Sequence, residues 1–293
     1  MDWIRSFQQS VDYIEEHITE PLEIGDIARV MNISGYYYQK IFNVLCGFGV
    51  GEYIRNRRLA LAGGELMTTE DRVIDIALKY GYDTPEGFTR AFTRFHGATP
   101  SAVRRGSPVR SFARIHVTIT MKGGSTMDYK VVTKESFKVL EKAEEQSIDD
   151  GRNLNTIPQF WTRSHMDGTV KKLLELTGDR SYIFGICYGN SPSDSKIFDY
   201  SIAARVAEDF REEDVPEGFR LSVIPARTWV VFECVGAMAG AIQELWHRII
   251  TEFFPSSPYK PTYEMDIEAY TEGNMSLETY KSEIWVPVTV GDQ

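Results

Sequence analysis

The sequence predicts two folds in series. The first is an all-α N-terminal domain of two helix-turn-helix units joined by a helix. The second is an α+β C-terminal domain, with a curved antiparallel sheet, two helices and a pseudo-two-fold. Three observations carry this. The first hundred residues repeat with a period of about fifty residues. Beyond Met127 the patterning changes from helical to alternating. The charge also changes sign: residues 29–114 hold 13 basic and 7 acidic side chains, whereas residues 126–293 hold 17 and 28. The expected division is residues 1–107, a linker with a first strand over 108–127, and residues 128–293.

Taken in order, Met1-Asp-Trp-Ile-Arg-Ser-Phe7 reads as the start of an amphipathic helix and lacks the apolar core and cleavage site of a signal peptide. Glu23 to Ser34 is an apolar-spaced helix ending in Ile-Ala and a turn, followed by a second helix from Gly35. Arg72 to Asp83 repeats that pattern, and Thr84-Pro85 opens its second helix: the threonine caps orphan amides, and the proline suits the first helical position because its missing N–H would have no partner. At about 100° per residue, Phe88, Ala91, Phe92 and Phe95 fall on one face and Glu86, Thr89, Arg90 and Thr93 on the other. The equivalent apolar set upstream is Tyr38, Ile41, Phe42 and Leu45, so Tyr36 corresponds to Glu86, Gln39 to Thr89 and Lys40 to Arg90. Gly51 to Ala62 is the connecting helix. Two equivalent polar faces in one chain suit successive major grooves of a duplex, about 34 Å apart.

Ile115, Val117 and Ile119 alternate with polar residues and predict a strand, and Gly123 to Thr126 a break. Strands are expected over 129–132, 137–140, 182–188, 198–202, 229–235, 267–270 and 283–287, with helices over 157–176 and 237–254. No run of about eighteen apolar residues suggests a membrane span. Cys46, Cys187 and Cys234 and the five histidines show no disulfide or ligand spacing. No cofactor or metal is therefore expected, and a cytoplasmic protein is.

Ile24-Gly-Asp-Ile-Ala28, the Gly51-to-Leu59 stretch, Val73 to Asp83, and above all Phe88-Thr-Arg-Ala-Phe-Thr-Arg-Phe-His-Gly-Ala-Thr-Pro-Ser101 resemble the DNA-binding domain of AraC-type transcription regulators. The resemblance covers about residues 5–105. It implies that Tyr36, Gln39 and Lys40 on one helix, and Glu86, Thr89 and Arg90 on the other, face bases and phosphates. Arg55, Arg57 and Arg58 would contact the DNA backbone or brace the two halves.

Pro158-Gln-Phe-Trp161, Ile224 to Phe232 followed by Gly236, Ala241 to Trp246, Ile267-Glu-Ala-Tyr270 and Glu283 to Val288 are similar, in order and spacing, to the GyrI-like effector-binding domains. That resemblance implies a central aromatic cavity with a carboxylate at its base. Here Glu268 is the carboxylate, Trp161, Tyr188, Tyr200, Phe232, Tyr270 and Trp285 are candidate walls, and Glu233 is a weaker second acid. Aromatic faces and a desolvated carboxylate favour an organic cation.

The expected protein is a DNA-binding transcription regulator, an activator by family habit, of the multidrug-sensing type. It would read double-stranded promoter DNA, answer to a small hydrophobic or cationic effector, and act on RNA polymerase as monomer or homodimer. Two other classes use the same residues: hydrolysis of an electrophilic small molecule by Glu268 with a neighbouring tyrosine, and a protein-contact module without ligand. No nucleophile elbow or Ser-His-Asp set supports an enzyme, so a non-enzymatic role is expected.

Overall fold

A computed structural model describes residues 3–117, 126–147, 152–177, 181–189, 197–238 and 240–290. The chain divides into two compact units. One comprises residues 1–32 and 48–120, the other residues 33–47 and 121–293.

The first unit contains helices α1 (Trp3–Glu16), α2 (Ile24–Arg29), α4 (Val50–Thr68), α5 (Val73–Lys79), α6 (Pro85–His96) and α7 (Pro100–Arg104). Helix α6 begins where the Thr84 hydroxyl accepts the Gly87 amide at 3.2 Å, and it ends at Gly97, whose φ of 79° is the left-handed cap that glycine adopts without steric cost. Phe88 and Phe92 are fully buried against Leu59, Ala62, Ile76, Ala77 and Val103. Burying each of these phenylalanines contributes roughly 1.5–3 kcal/mol. The connecting helix α4 is braced by Arg57, which pairs with Glu15 through Nε (2.8 Å) and Nη2 (2.6 Å), and by Arg58, which donates to the carbonyls of Ile18 and Glu20. These bonds are of the bracing kind expected for Arg57 and Arg58.

The strand expected from Ile115 does not form over 115–117, and 118–120 lies outside the described residues, as does most of the 123–126 break. The backbone there is satisfied by side chains instead: the Ile115 amide donates to Tyr53 Oη (3.1 Å) and the Val117 amide to Gln8 Oε1 (2.7 Å). With its amides occupied in this way, the segment has no ladder to join.

The second unit contains helix α3 (Gly35–Cys46) and a nine-stranded antiparallel sheet, β1 (Tyr129–Lys134), β2 (Phe137–Ser147), β3 (Ile183–Tyr188), β4 (Ile197–Arg205), β5 (Arg220–Ile224), β6 (Arg227–Val235), β7 (Tyr259–Pro261), β8 (Met265–Tyr270) and β9 (Lys281–Val290). The spatial order is β1-β6-β9-β8-β3-β4-β2-β5, with β7 on β9. This order is a pseudo-two-fold about the β8–β3 contact, and each half lends its first strand to the other: β1 precedes β2 but pairs with β6, and β5 precedes β6 but pairs with β2. Helices α8 (Asn153–Met166) and α9 (Thr169–Leu176) belong to one half. Helix α10 (Gly240–Arg248), extended by a π turn over Ile249–Phe253, belongs to the other. The single helix expected over 157–176 is broken at Gly168, whose φ is 82°.

Strand alternation gives the sheet two faces. Phe184, Ile186, Ile267, Ala269, Trp229 and Trp285 form one core together with Phe137 and Ile224 from the far edge, so the sheet is strongly curved. The opposite face carries the helices, with Phe160 of α8 and Leu173 of α9 packed over Tyr200 and Ile202, and Phe232 and Ile284 under α10.

Candidate functional sites

On the first unit, the polar side of α6 presents Glu86, Thr89, Arg90, Thr93 and Arg94 on an open surface. Glu86 and Arg90 are exposed and Thr89 is half-buried, while Phe88 and Phe92 anchor the other side. The arrangement can place a guanidinium, a hydroxyl and a carboxylate against base edges and phosphates. Arg55 is exposed on α4.

The second unit builds its site on the middle strands. The register Gly185↔Glu268 puts Glu268 on the helix-bearing face, and alternation puts Asp266 and Tyr270 beside it. Both Glu268 oxygens are held: Trp246 Nε1 donates to one at 2.9 Å and Tyr270 Oη to the other at 2.7 Å. Trp161 stands edge-on to Tyr270, with centroids 5.2 Å apart, and its Nε1 donates to Tyr200 Oη at 2.7 Å. Gly185 makes room for this, since a Cβ there would overlap Tyr200 Oη. Burial raises the Tyr200 and Tyr270 phenols well above their ordinary range, Glu268 adding to both, so each stays a neutral hydroxyl.

Trp161, Tyr200, Glu268 and Tyr270 are thus brought together. Phe232 shares their face but is packed on Phe253 at 4.8 Å in the α10 core. Two expectations are corrected. Tyr188 and Trp285 have the opposite strand parity, so they point to the other face of the sheet. Tyr188 Oη donates to Glu141 at 2.7 Å, and Trp285 lies under Lys134 with its Nε1 on Glu283. Glu233 is exposed and pairs with Lys281. Asp266 and Trp246 are the residues the sequence reading missed, although Asp266 was findable as the alternate-position neighbour of Glu268.

Helix α3 also differs from expectation. The Ser34 hydroxyl caps it by accepting from the Tyr37 amide, and Gly47, with a φ of 77°, ends it, the same caps as α6. Yet Tyr36, expected on an open reading face, is 4% exposed in the core of the second unit, tilted on Phe198 with centroids 4.1 Å apart. Lys40 pairs with Asp266 at 2.9 Å, and its Nζ sits 3.6 Å above the Trp246 ring. Burial works to lower the Lys40 pKa, but Asp266, with Glu268 behind it, outweighs burial and holds it raised. Tyr37 Oη donates to the other Asp266 oxygen at 2.9 Å. Gln39 is half-buried.

The chain thus joins a helix-turn-helix segment to a curved, pseudo-two-fold α+β domain that holds a carboxylate among aromatic side chains. Residues 130–288, more than half the chain, match the family of integron-associated effector binding proteins, and residues 27–106 match the helix-turn-helix domain family. The chain belongs to the first family and joins its GyrI-like domain to an AraC-type DNA-binding domain. Among relatives, it is 42% identical over 97 residues to the regulatory protein SoxS of Salmonella typhimurium, covering 33% of this chain and 91% of that one. It is 30% identical over 166 residues to the transcriptional regulator Rob of the same organism, covering 55% and 57%. The chain thus spans just over half of Rob, and 35% of a Bacillus subtilis HTH-type regulator, YbfP, with which it is 38% identical over 104 residues. A solved structure, SAV2435 bound to tetraphenylphosphonium, aligns with 22% identity and a TM-score of 0.49 over 56% of this chain and 94% of that one. SoxS, Rob and YbfP are regulators by name, and among the described residues no helix is long and apolar enough to cross a membrane.

Proposed function

We propose that this AraC-type regulator reads promoter DNA through α6, with Arg90 and Thr89 toward the groove, and is controlled by a small hydrophobic cation held between Trp161, Trp246, Tyr200 and Tyr270 against Glu268. The observation that carries the reading is the state of the Glu268 carboxylate. It is partly buried and fixed by two neutral donors inside an aromatic box, and an ammonium already rests on the same Trp246 ring. A carboxylate so placed attracts a cation strongly because little water screens it, and the ring faces add a cation–π contribution of about 0.5–2 kcal/mol. Both oxygens are engaged by donors, which suits a fixed electrostatic anchor better than a general base that must pick up a proton.

The test uses a shape-matched pair of ions, tetraphenylphosphonium and tetraphenylborate, in thermal unfolding. A ligand at a hundred times its Kd stabilises the folded state by about 2.7 kcal/mol, so the cation should raise Tm by about 5–10 °C. The borate should not, and Glu268→Gln should lose the cation shift. Equal shifts from both ions, or a cation shift unchanged in Glu268→Gln, would remove Glu268 from the site.

A further inference from the structure

We infer that the effector pocket has an internal occupant, helix α3, and that a cationic effector competes with it; the inference rests on the pocket reading above. The side chains that α3 inserts reproduce the chemistry of such a ligand. Lys40 supplies the cation, on the Trp246 ring and the Asp266 carboxylate, with Glu268 close enough to raise its pKa. Tyr36 and Tyr37 supply the aromatic body, in the cluster that also holds Phe160, Tyr200 and Trp161.

The seat is shaped for them. A Cβ on Gly189 would overlap the Tyr37 ring and the Tyr263 carbonyl. Tyr263, whose ring meets Tyr37 edge-on at 5.2 Å, holds a φ of 57°, a left-handed conformation that a non-glycine residue keeps only when its surroundings impose it. Asp266 is 1% exposed, and both its oxygens are committed to α3, through Tyr37 Oη and Lys40 Nζ. If α3 left with nothing in its place, the Asp266 carboxylate would lose both of these partners. A cation entering as α3 leaves offsets that loss, so the exchange is nearly balanced and can be driven by ligand. Tyr36 and Lys40 are also the α3 counterparts of Glu86 and Arg90, so the seated helix withholds from DNA the side chains that align with the α6 reading face. Effector binding therefore frees α3 for DNA.

The experiment uses the full chain, tetraphenylphosphonium as the probe, and two variants that weaken the α3 seat, Lys40→Met and the conservative Tyr37→Phe. A site open only in a fraction of molecules binds with its Kd divided by that fraction. Lys40→Met should therefore bind the cation about tenfold more tightly than the wild type, and Tyr37→Phe should move the same way by a smaller factor. In the wild type, saturating cation should raise acetylation of the Lys40 amine, read by mass spectrometry against Lys171, whose side chain is 80% exposed. If the cation binds but Lys40 labelling stays unchanged and neither variant gains affinity, the competition is refuted while the pocket reading stands. If neither the wild type nor either variant binds the cation, the pocket reading fails and the competition with it.

Discussion

Glu141 gives a prediction whose size can be worked from the structure. This carboxylate is completely buried, yet four donors satisfy it: Tyr188 Oη (2.7 Å) and Ser201 Oγ (2.5 Å) on one oxygen, Arg220 Nε (2.6 Å) and Ser222 Oγ (2.5 Å) on the other. In Tyr188→Phe one hydrogen bond to a charged acceptor is lost and three remain, a cost of about 1.5 kcal/mol. In Glu141→Gln the new carbonyl can keep Arg220 and Ser222, and the amide can donate to two hydroxyls that turn to accept; charge assistance is lost, a cost of about 2 kcal/mol. In Glu141→Ala the Ser201 hydroxyl is orphaned in the interior. Arg220 suffers less, because its side chain is 45% exposed and keeps Asp199 at 3.0 Å, so the total is about 3–5 kcal/mol. At about 2–4 °C per kcal/mol for a unit of this size, thermal unfolding should rank Tyr188→Phe first, then Glu141→Gln, then Glu141→Ala, with losses of about 3–6, 4–8 and 6–20 °C. Tetraphenylphosphonium affinity should be unchanged in Tyr188→Phe, because that side chain is on the other face of the sheet. A Glu141→Ala protein as stable as Tyr188→Phe would refute the network argument, and a Tyr188→Phe protein that loses the cation would refute the placement of the site.

Two further outcomes follow from the first unit. Arg90→Ala should weaken promoter binding across sequences and reduce the slope of log K against log salt by about 1, as for the loss of one phosphate contact; an unchanged slope, measured by anisotropy between 50 and 200 mM salt as a conventional range, would exclude α6 as the reading face. His96 is buried, bonded through Nε2 to the Leu59 carbonyl, and accepts the Arg110 amide on Nδ1. Burial, and then the nearby Arg110 charge, lower its pKa. The folded state thus binds its proton less readily than the unfolded one, so this contribution is complete above the unfolded pKa of about 6.5 and is lost as pH falls below it. His96→Gln should flatten the fall in stability between about pH 6.5 and 5, and an unaltered pH profile would refute the assignment.

The start of helix α6 was legible to the residue and its end to within one, because its cap, its N1 proline and its three phenylalanine positions are all local signals. Strands β1 to β4, β6, β8 and β9 were legible for the same reason, while the strand expected from Ile115 does not form over 115–117. Facing was not: whether Tyr188 shares a side with Glu268 depends on the register that pairs Gly185 with Glu268, a relation between strands about eighty residues apart. Strand β7, of three residues, is too brief for alternation to register, and β5 was missed although its five residues are enough for the pattern. Asp266 required only stepping back two positions from Glu268. Helix α3 was predicted as a helix, but its partner could not be, since the Lys40–Asp266 pair joins residues 226 apart. Its polar stripe reads equally well as a surface for DNA or for a protein cavity.

That ambiguity in α3 constrains how such a regulator can diverge. If the proposed exchange holds, Tyr36 and Lys40 answer to two templates in turn, the operator and the sheet beneath them. A change at position 40 that suits a new base would also take the cation from Trp246 and Asp266, and in the proposed exchange so alter output before any effector arrives. On that reading operator preference and background expression are inherited together through α3, whereas α6, whose Glu86 and Arg90 are exposed, can drift toward new sequences without that penalty. Retargeting this protein to a new promoter should begin at Glu86, Thr89 and Arg90, and leave the tyrosines of α3 as they are.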